Sequence, residues 1–387
     1  MGNSILFPTA AQKHSNANVH TQSHIVWIPS GSFYSEASPA CFKYHKGRLP
    51  YHGVDDDLKF PALWFNGRRR CVLLYFHGNS TNLVDIFEEM EMLSLFLDCC
   101  ILAIEYPGYG LCADLRVNPS TIDYWGLAAF FWILNLGANS EDIILFGRSI
   151  GTGPATKLAS TLVQVGLQPG GLVLHSPFLS IHKIVCDYSS IGTWFIKDYW
   201  NTEEFLKGIS PHTPLVIIHG ENDEIIPVYH GHKLFNDYKV PDSMKAGYFP
   251  KNSKHNEYYV IEDLAIPIQN FFKHRNLFQY LPLTKMLNPT NQTETSVLYN
   301  FKFILSIDEN QNKTTSTDTS ESSNNASLLN KIRFFHVKVT NKKKTYPSLQ
   351  HDASETLLEP ESPNVSNNML AVITQFDDIP ISEYVTT

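Results

Sequence analysis

No run of about 18 consecutive apolar residues occurs in this chain, so no membrane-spanning helix is expected. The N-terminus has no basic region followed by an apolar core, which argues against a secretory signal. The expectation is an intracellular, cytoplasmic protein that is not secreted. Cysteine is sparse: six in 387 residues, at Cys41, Cys71, Cys99, Cys100, Cys112 and Cys186, with no Cys-x-x-Cys pair. That pattern argues against a disulfide framework and fits reduced core residues. Sequons such as Asn291-Gln292-Thr293 are then incidental. No basic patch dominates, since 30 Lys and Arg face 38 Asp and Glu for a net charge of −8. Nucleic acid is therefore not expected as a partner, despite the local cluster Lys342-Lys343-Lys344. No metal and no organic cofactor is implied, and nothing in the sequence bears on oligomeric state.

What the chain does have is apolar material, 43% hydrophobic and 12% aromatic, enough for one large domain with extensions or for two domains. Residues 1–40 are rich in Ser, Asn, His and Pro and read as an irregular arm, with Ile25-Val26-Trp27-Ile28 docking locally. From residue 60 the pattern turns regular. Strands are expected at 60–65, 71–76, 100–104, 143–146, 172–174, 214–218 and 244–249. Helices are expected at 83–97, 121–136 (capped by Ser120), 152–165, 228–238 and 258–272. Alternating strands and helices imply parallel pairing with helices on both faces, and function at the carboxyl ends of the strands. Between 178 and 213 the alternation breaks, and Tyr188, Trp194, Phe195, Tyr199 and Trp200 crowd a stretch read as a small cap insertion. Those aromatics either line an apolar substrate pocket or form the cap's own small core. Beyond 280 the composition shifts to Ser, Thr, Asn and acids without periodicity, which reads as a largely disordered tail, 281–387, rather than a second domain.

The most informative run is Ile143-Ile144-Leu145-Phe146-Gly147-Arg148-Ser149-Ile150-Gly151: a short buried strand, then Gly-x-Ser-x-Gly, then a helix. A serine hydroxyl needs to be exposed, aimed and activated to act as a nucleophile. A sharp strand-to-helix turn lifts it clear of the sheet, and small residues two before and two after let the backbone pass. Such a serine needs a base, and the base an orienting carboxylate. Asp223 follows the strand at 214–218 and His255 follows the strand at 244–249, giving the order Ser, acid, His at the carboxyl ends of successive strands. Glu221 and Glu224 are competing acids; Asp223 is preferred because Ile225-Ile226-Pro227 then starts the next helix in phase. An oxyanion hole needs two N–H donors. Ile150 supplies one, and Asn79 or its neighbour Ser80, after the strand at 71–76, the other; His77 reads as structural.

These motifs resemble the α/β-hydrolases, and within them the α/β-hydrolase domain-containing protein 17 group. The resemblance rests on His77-Gly78-Asn79, Tyr106-Pro107-Gly108-Tyr109-Gly110, Gly147 through Pro154, Leu174-His175-Ser176-Pro177-Phe178, His219-Gly220-Glu221-Asn222-Asp223 and His255-Asn256, and spans roughly residues 40 to 275. It implies an α/β-hydrolase fold over 41–280, with a mostly parallel central sheet. Animal members of the group resemble depalmitoylases of S-acylated proteins, and the resemblance implies Ser149 as nucleophile, Asp223 as acid and His255 as base. Two positions depart from the group: Lys254 stands where glycine usually precedes the histidine, and the cysteine-rich N-terminus is missing.

The expected activity is that of a serine hydrolase on acyl esters or thioesters, its partner an acylated protein or a lipid-like substrate. Protein S-palmitoyl thioesters come first, lysophospholipid or monoacylglycerol esters second and peptides third. The alternative of another class is a non-catalytic scaffold on the same fold. Met1-Gly2 offers Gly2 as an N-myristoylation site, although Leu6 replaces the preferred Ser or Thr; peripheral membrane contact is expected with it.

Overall fold

The computed structural model describes residues 19–30, 59–188, 199–209, 211–282 and 286–289. Gly2, most of the arm, Trp194, Phe195 and nearly all of the tail lie outside the described residues. Among the described residues, eight strands form one sheet: β1 (Ile25–Pro29), β2 (Lys59–Phe65), β3 (Val72–Phe76), β4 (Cys100–Ile104), β5 (Ile143–Arg148), β6 (Gly171–His175), β7 (Leu215–Ile218) and β8 (Lys245–Tyr248). Their spatial order is β1-β2-β4-β3-β5-β6-β7-β8. From β4 through β8 the neighbours run parallel, as the alternation implied, whereas β1–β2 and β2–β4 are antiparallel.

Burial explains the sequence pattern of the central strands. β3 (Val-Leu-Leu-Tyr-Phe) and β4 (Cys-Ile-Leu-Ala-Ile) are buried at every position, since helices cover both faces. Period-two alternation divides each strand between two cores. Val72, Leu74 and Phe76 meet one face, covered by α2 (Pro119–Asn135), α3 (Thr152–Gln164) and α6 (Tyr229–Asp237). Leu73 and Tyr75 meet the other, covered by α1 (Phe87–Leu97) and α7 (Ile266–Phe272). Phe60 of β2 stacks on Trp125 of α2 with centroids 4.6 Å apart.

Several local expectations are corrected. The apolar patch at Ile25 to Ile28 is not an irregular arm: it is β1, paired residue for residue with β2 from Ile25 opposite Leu63 to Pro29 opposite Lys59. A five-residue strand is too short to announce itself by periodicity, and edge pairing supplies what the pattern lacks. The cap of α2 is Asn118, whose side chain accepts the Ser120 N–H, because Pro119 takes the first helical position. α1 starts at Phe87 rather than 83, since Asn82 Oδ1 accepts the N–H groups of Val84 and Asp85 and holds a turn there. The last helix is not regular: Val260–Ala265 is π-helical before α7. Pro267 has no N–H for the carbonyl of Asp263, and a wider turn accommodates its ring.

Candidate active site

β5 ends at Arg148, and the chain turns through Ser149–Gly151 into α3. Ser149 has φ +53°, a left-handed conformation that a non-glycine residue adopts only where its surroundings hold it there. The two flanking glycines are required by close approach. A Cβ on Gly147 would stand 2.5 Å from the Gly151 carbonyl oxygen, and one on Gly151 would overlap the carbonyl oxygen of Phe76. The elbow is thus wedged between β3 and the start of α3.

Three sequence-predicted residues come together above it. His255, in the loop after β8, places Nε2 2.9 Å from Ser149 Oγ. Its Nδ1 donates to Asp223 Oδ2 at 2.8 Å. Asp223, in the loop after β7, uses its other oxygen to accept the N–H groups of Ile225 (2.9 Å) and Ile226 (2.7 Å). Burial alone would raise the Asp223 pKa, but hydrogen bonds from His219 and His255 outweigh it and hold the carboxyl well below the usual range. Burial lowers His255 below its ordinary value of 6.5, against the opposing pull of Asp223. The imidazole is therefore neutral near pH 7, with its proton on Nδ1 and a lone pair on Nε2 facing the serine. The competing acids do other things: Glu224 Oε2 accepts the His255 backbone N–H at 3.3 Å, and Glu221 is exposed.

The loop after β3 abuts the serine, since a Cβ on Gly78 would lie 3.7 Å from Ser149 Cβ. Ser80 turns its N–H onto Asn79 Oδ1 at 3.0 Å, and Tyr109 OH donates to the same oxygen at 2.6 Å. Ile150 follows Ser149 in the helical turn. His77 is fully buried below this loop, with Nε2 3.1 Å from Glu105 Oε1 and its ring stacked 3.8 Å from Tyr106.

An eight-stranded sheet in this order, with a strained serine between β5 and α3 and an acid and a histidine after β7 and β8, is a recognisable arrangement. No family model matches the chain. Among curated relatives, it is 30% identical over 187 residues to the α/β hydrolase domain-containing protein aho-3 of Caenorhabditis elegans, covering 48% of this chain and 52% of that protein. It is 31% identical over 208 residues to the lysophosphatidylserine lipase ABHD12 of Gallus gallus, covering 46% and 53%. The chain thus spans about half the length of the first of these relatives. An α/β hydrolase crystal structure from Vibrio vulnificus aligns with a TM-score of 0.44 at 19% identity, covering 55% of this chain and 75% of that one.

The chain has the α/β-hydrolase fold.

Within this hydrolase fold, the described residues of the insertion after β6 include two short helices, α4 (Ile181–Tyr188) and α5 (Thr202–Lys207). Two of its described aromatics contact the body of the fold. Trp200 is buried, donates Nε1–H to Asp123 at 2.9 Å and packs where a Cβ on Gly153 of α3 would stand. Tyr188 is exposed and donates through its hydroxyl to the carbonyls of Glu224 and Ile225, beside Asp223. Asp187 binds His230 Nε2 at 2.7 Å and accepts the Tyr229 hydroxyl. The cap is therefore tied to the loop that carries the acid.

Sequence reasoning gave no role to three further residues that border this site. His219, at the end of β7, directs Nε2 to the Ile226 carbonyl at 2.8 Å and to Asp223 Oδ2 at 3.2 Å. Arg148 donates to the His255 carbonyl at 3.2 Å and to Asn256 Oδ1 at 2.9 Å. His175, at the end of β6, lies buried with its ring edge-on to Tyr258 at 4.6 Å. The signals available were position, as each stands at or just past the carboxyl end of a strand, and membership of the motifs quoted above.

Proposed function

We propose that this protein is a serine hydrolase that cleaves acyl esters through Ser149, His255 and Asp223. The observation that carries the reading is the hydrogen-bonded line from Ser149 Oγ through the His255 ring to Asp223. Ser149 Oγ attacks the acyl carbonyl while its proton passes to His255 Nε2. The N–H groups of Ile150 and Asn79 are assigned to the oxyanion of the tetrahedral intermediate. His255 then protonates the leaving alcohol or thiol, leaving the acyl chain on Ser149. Water, deprotonated by the same nitrogen, attacks the acyl-serine and releases the acid. Asp223 holds the ring orientation and stabilises the imidazolium.

For the substrate, the named activity among the relatives supports a lysophospholipid-like oxyester. That reverses the order expected from the sequence, where protein S-acyl thioesters came first. The thioester reading now rests on the motif resemblance alone. With either substrate the acyl chain is presented at a membrane surface, and we include in the proposal peripheral contact there from an intracellular location.

A fluorophosphonate probe tests the chemistry. Wild-type protein is expected to label and Ser149→Ala not to; an unlabelled wild type, or equal labelling of the variant, rejects the proposal. A panel of oxyesters and thioesters at several chain lengths then ranks the two substrate classes.

A further inference from the structure

Arg148 occupies the variable position just before the nucleophile, and β5 alternation determines where it goes. Ile144 and Phe146 point to the face covered by α1 and the π-helical segment, and Arg148 follows them two residues on. A guanidinium is thereby buried in an apolar layer. Its surroundings are polar only where they meet it. Tyr258 lies with its ring centroid 5.3 Å from the Arg148 Cζ and donates its hydroxyl to Glu89 Oε2 of α1 at 2.9 Å. The Glu89 carboxylate is the opposite charge acting on Arg148. From this anchor Nη2 reaches two acceptors on the loop after β8, the His255 carbonyl and Asn256 Oδ1. Nη1 lies 2.9 Å from where a Cβ on Gly78 would stand, so the same side chain also touches the loop after β3.

Buried charge clusters are weak contributors to stability, because desolvation offsets most of their attraction. An apolar side chain would fill this layer as well. What a guanidinium adds is a rigid fork able to hold several acceptors in fixed relative positions. We propose that Arg148 is the positioning residue for His255, clamping the loop that carries the base against the strand that carries the nucleophile. The inference rests on the serine-hydrolase reading above. Its reach is mechanical and electrostatic: it sets the distance from Nε2 to Ser149 Oγ, and it places a positive charge near the imidazole. The groups facing His255 are Asp223 and Glu224 after β7, His219 at its end, His175 on β6 and Arg148 on β5. Of these, Arg148 and, after it, His219 oppose protonation of the ring.

The test is steady-state kinetics on Arg148→Met and Asn256→Ala in the full chain, with a chromogenic acyl ester and with fluorophosphonate labelling as a control. In Arg148→Met, kcat is expected to fall on the order of 100-fold with KM within about two-fold, as a base displaced by a fraction of an ångström would cause. The acid limb of its kcat profile is expected to move to higher pH, because a cation that disfavoured imidazolium is gone. Asn256→Ala keeps the charge and removes one acceptor, so kcat is expected to fall by about ten-fold at constant KM. Unchanged kcat in Arg148→Met overturns the inference, as does a loss of kcat with the acid limb unmoved. Should Arg148→Met not fold, Asn256→Ala decides alone: unchanged kcat, or a loss carried by KM, overturns it. A wild type that the probe does not label points instead to failure of the serine-hydrolase reading.

Discussion

His255 Nε2 lies 2.9 Å from Ser149 Oγ, although the two residues are separated by 106 positions in the chain. The contact joins the loop after β8 to the turn after β5, three strands away across the sheet. A hydroxyl and an imidazole held this way, with the ring neutral and its lone pair aimed at the hydroxyl, make the proposed proton transfer testable in variants.

His255→Ala removes the proton acceptor and leaves the strand framework intact. Turnover is expected to drop by about 10²- to 10⁴-fold while the thermal transition stays cooperative. Activity assays paired with calorimetry check this; substantial turnover in a cooperatively melting variant would exclude His255 as base.

Asp223→Asn is expected to be as damaging for a subtler reason. Asp223 Oδ1 accepts two N–H groups, from Ile225 and Ile226. An asparagine oxygen keeps that place, which turns its NH₂ toward His255 Nδ1. The ring then carries its proton on Nε2 and presents a donor to Ser149 instead of a lone pair. A loss on the order of 10⁴-fold in kcat with little change in melting temperature is expected. Activity within about ten-fold of wild type would contradict the assigned tautomer.

Acid should destabilise the fold starting near pH 6.5, earlier than carboxylate protonation would. Burial holds His175, His230 and His255 below the ordinary imidazole value. In the unfolded chain they titrate near 6.5, so below that pH the unfolded state binds protons that the folded state does not, and stability falls. Asp223 has the sign of a depressed carboxylate: its contribution is present above about pH 4 and is lost only as pH falls through its far lower folded value. Thermal midpoints measured from about pH 7.5 to about pH 5 should therefore decline steadily. A flat profile over that range would show that these histidines are not held neutral.

Gly151→Ala should cost about 1–3 kcal/mol or more, because the added methyl meets the backbone carbonyl of Phe76, which has no freedom to move within β3. Chemical denaturation measures this. An unchanged midpoint would mean that the elbow is looser than its geometry.

Asp187→Ala cuts the tie from α4 to His230 and Tyr229. KM for long-chain acyl substrates is expected to rise several-fold, roughly, with kcat retained, since the cap bears on substrate fit rather than on the proton transfers. Equal KM values for short- and long-chain esters in wild type and variant would remove the cap from substrate recognition.

Much of this architecture is written locally. Unbroken apolar runs such as Val72 to Phe76 announce doubly covered strands, and Gly147 and Gly151 announce the elbow, because each depends only on neighbours within a few residues. The strand order, the antiparallel β1–β2 edge and the π-helical turns before Pro267 depend on what packs alongside, and periodicity carries no trace of it. The site divides the same way. Sequence alone determined that Ser149 sits on a strand-to-helix turn with an acid and a histidine following in order. Only the tertiary structure decided that Asp223 meets the His255 ring while Glu224 meets only its backbone N–H, and that Arg148 reaches across to the loop beyond it. The reason is physical: a side chain's chemistry is local, but its partner is chosen by which loops the sheet brings to the same edge and by which buried charges must find one another there.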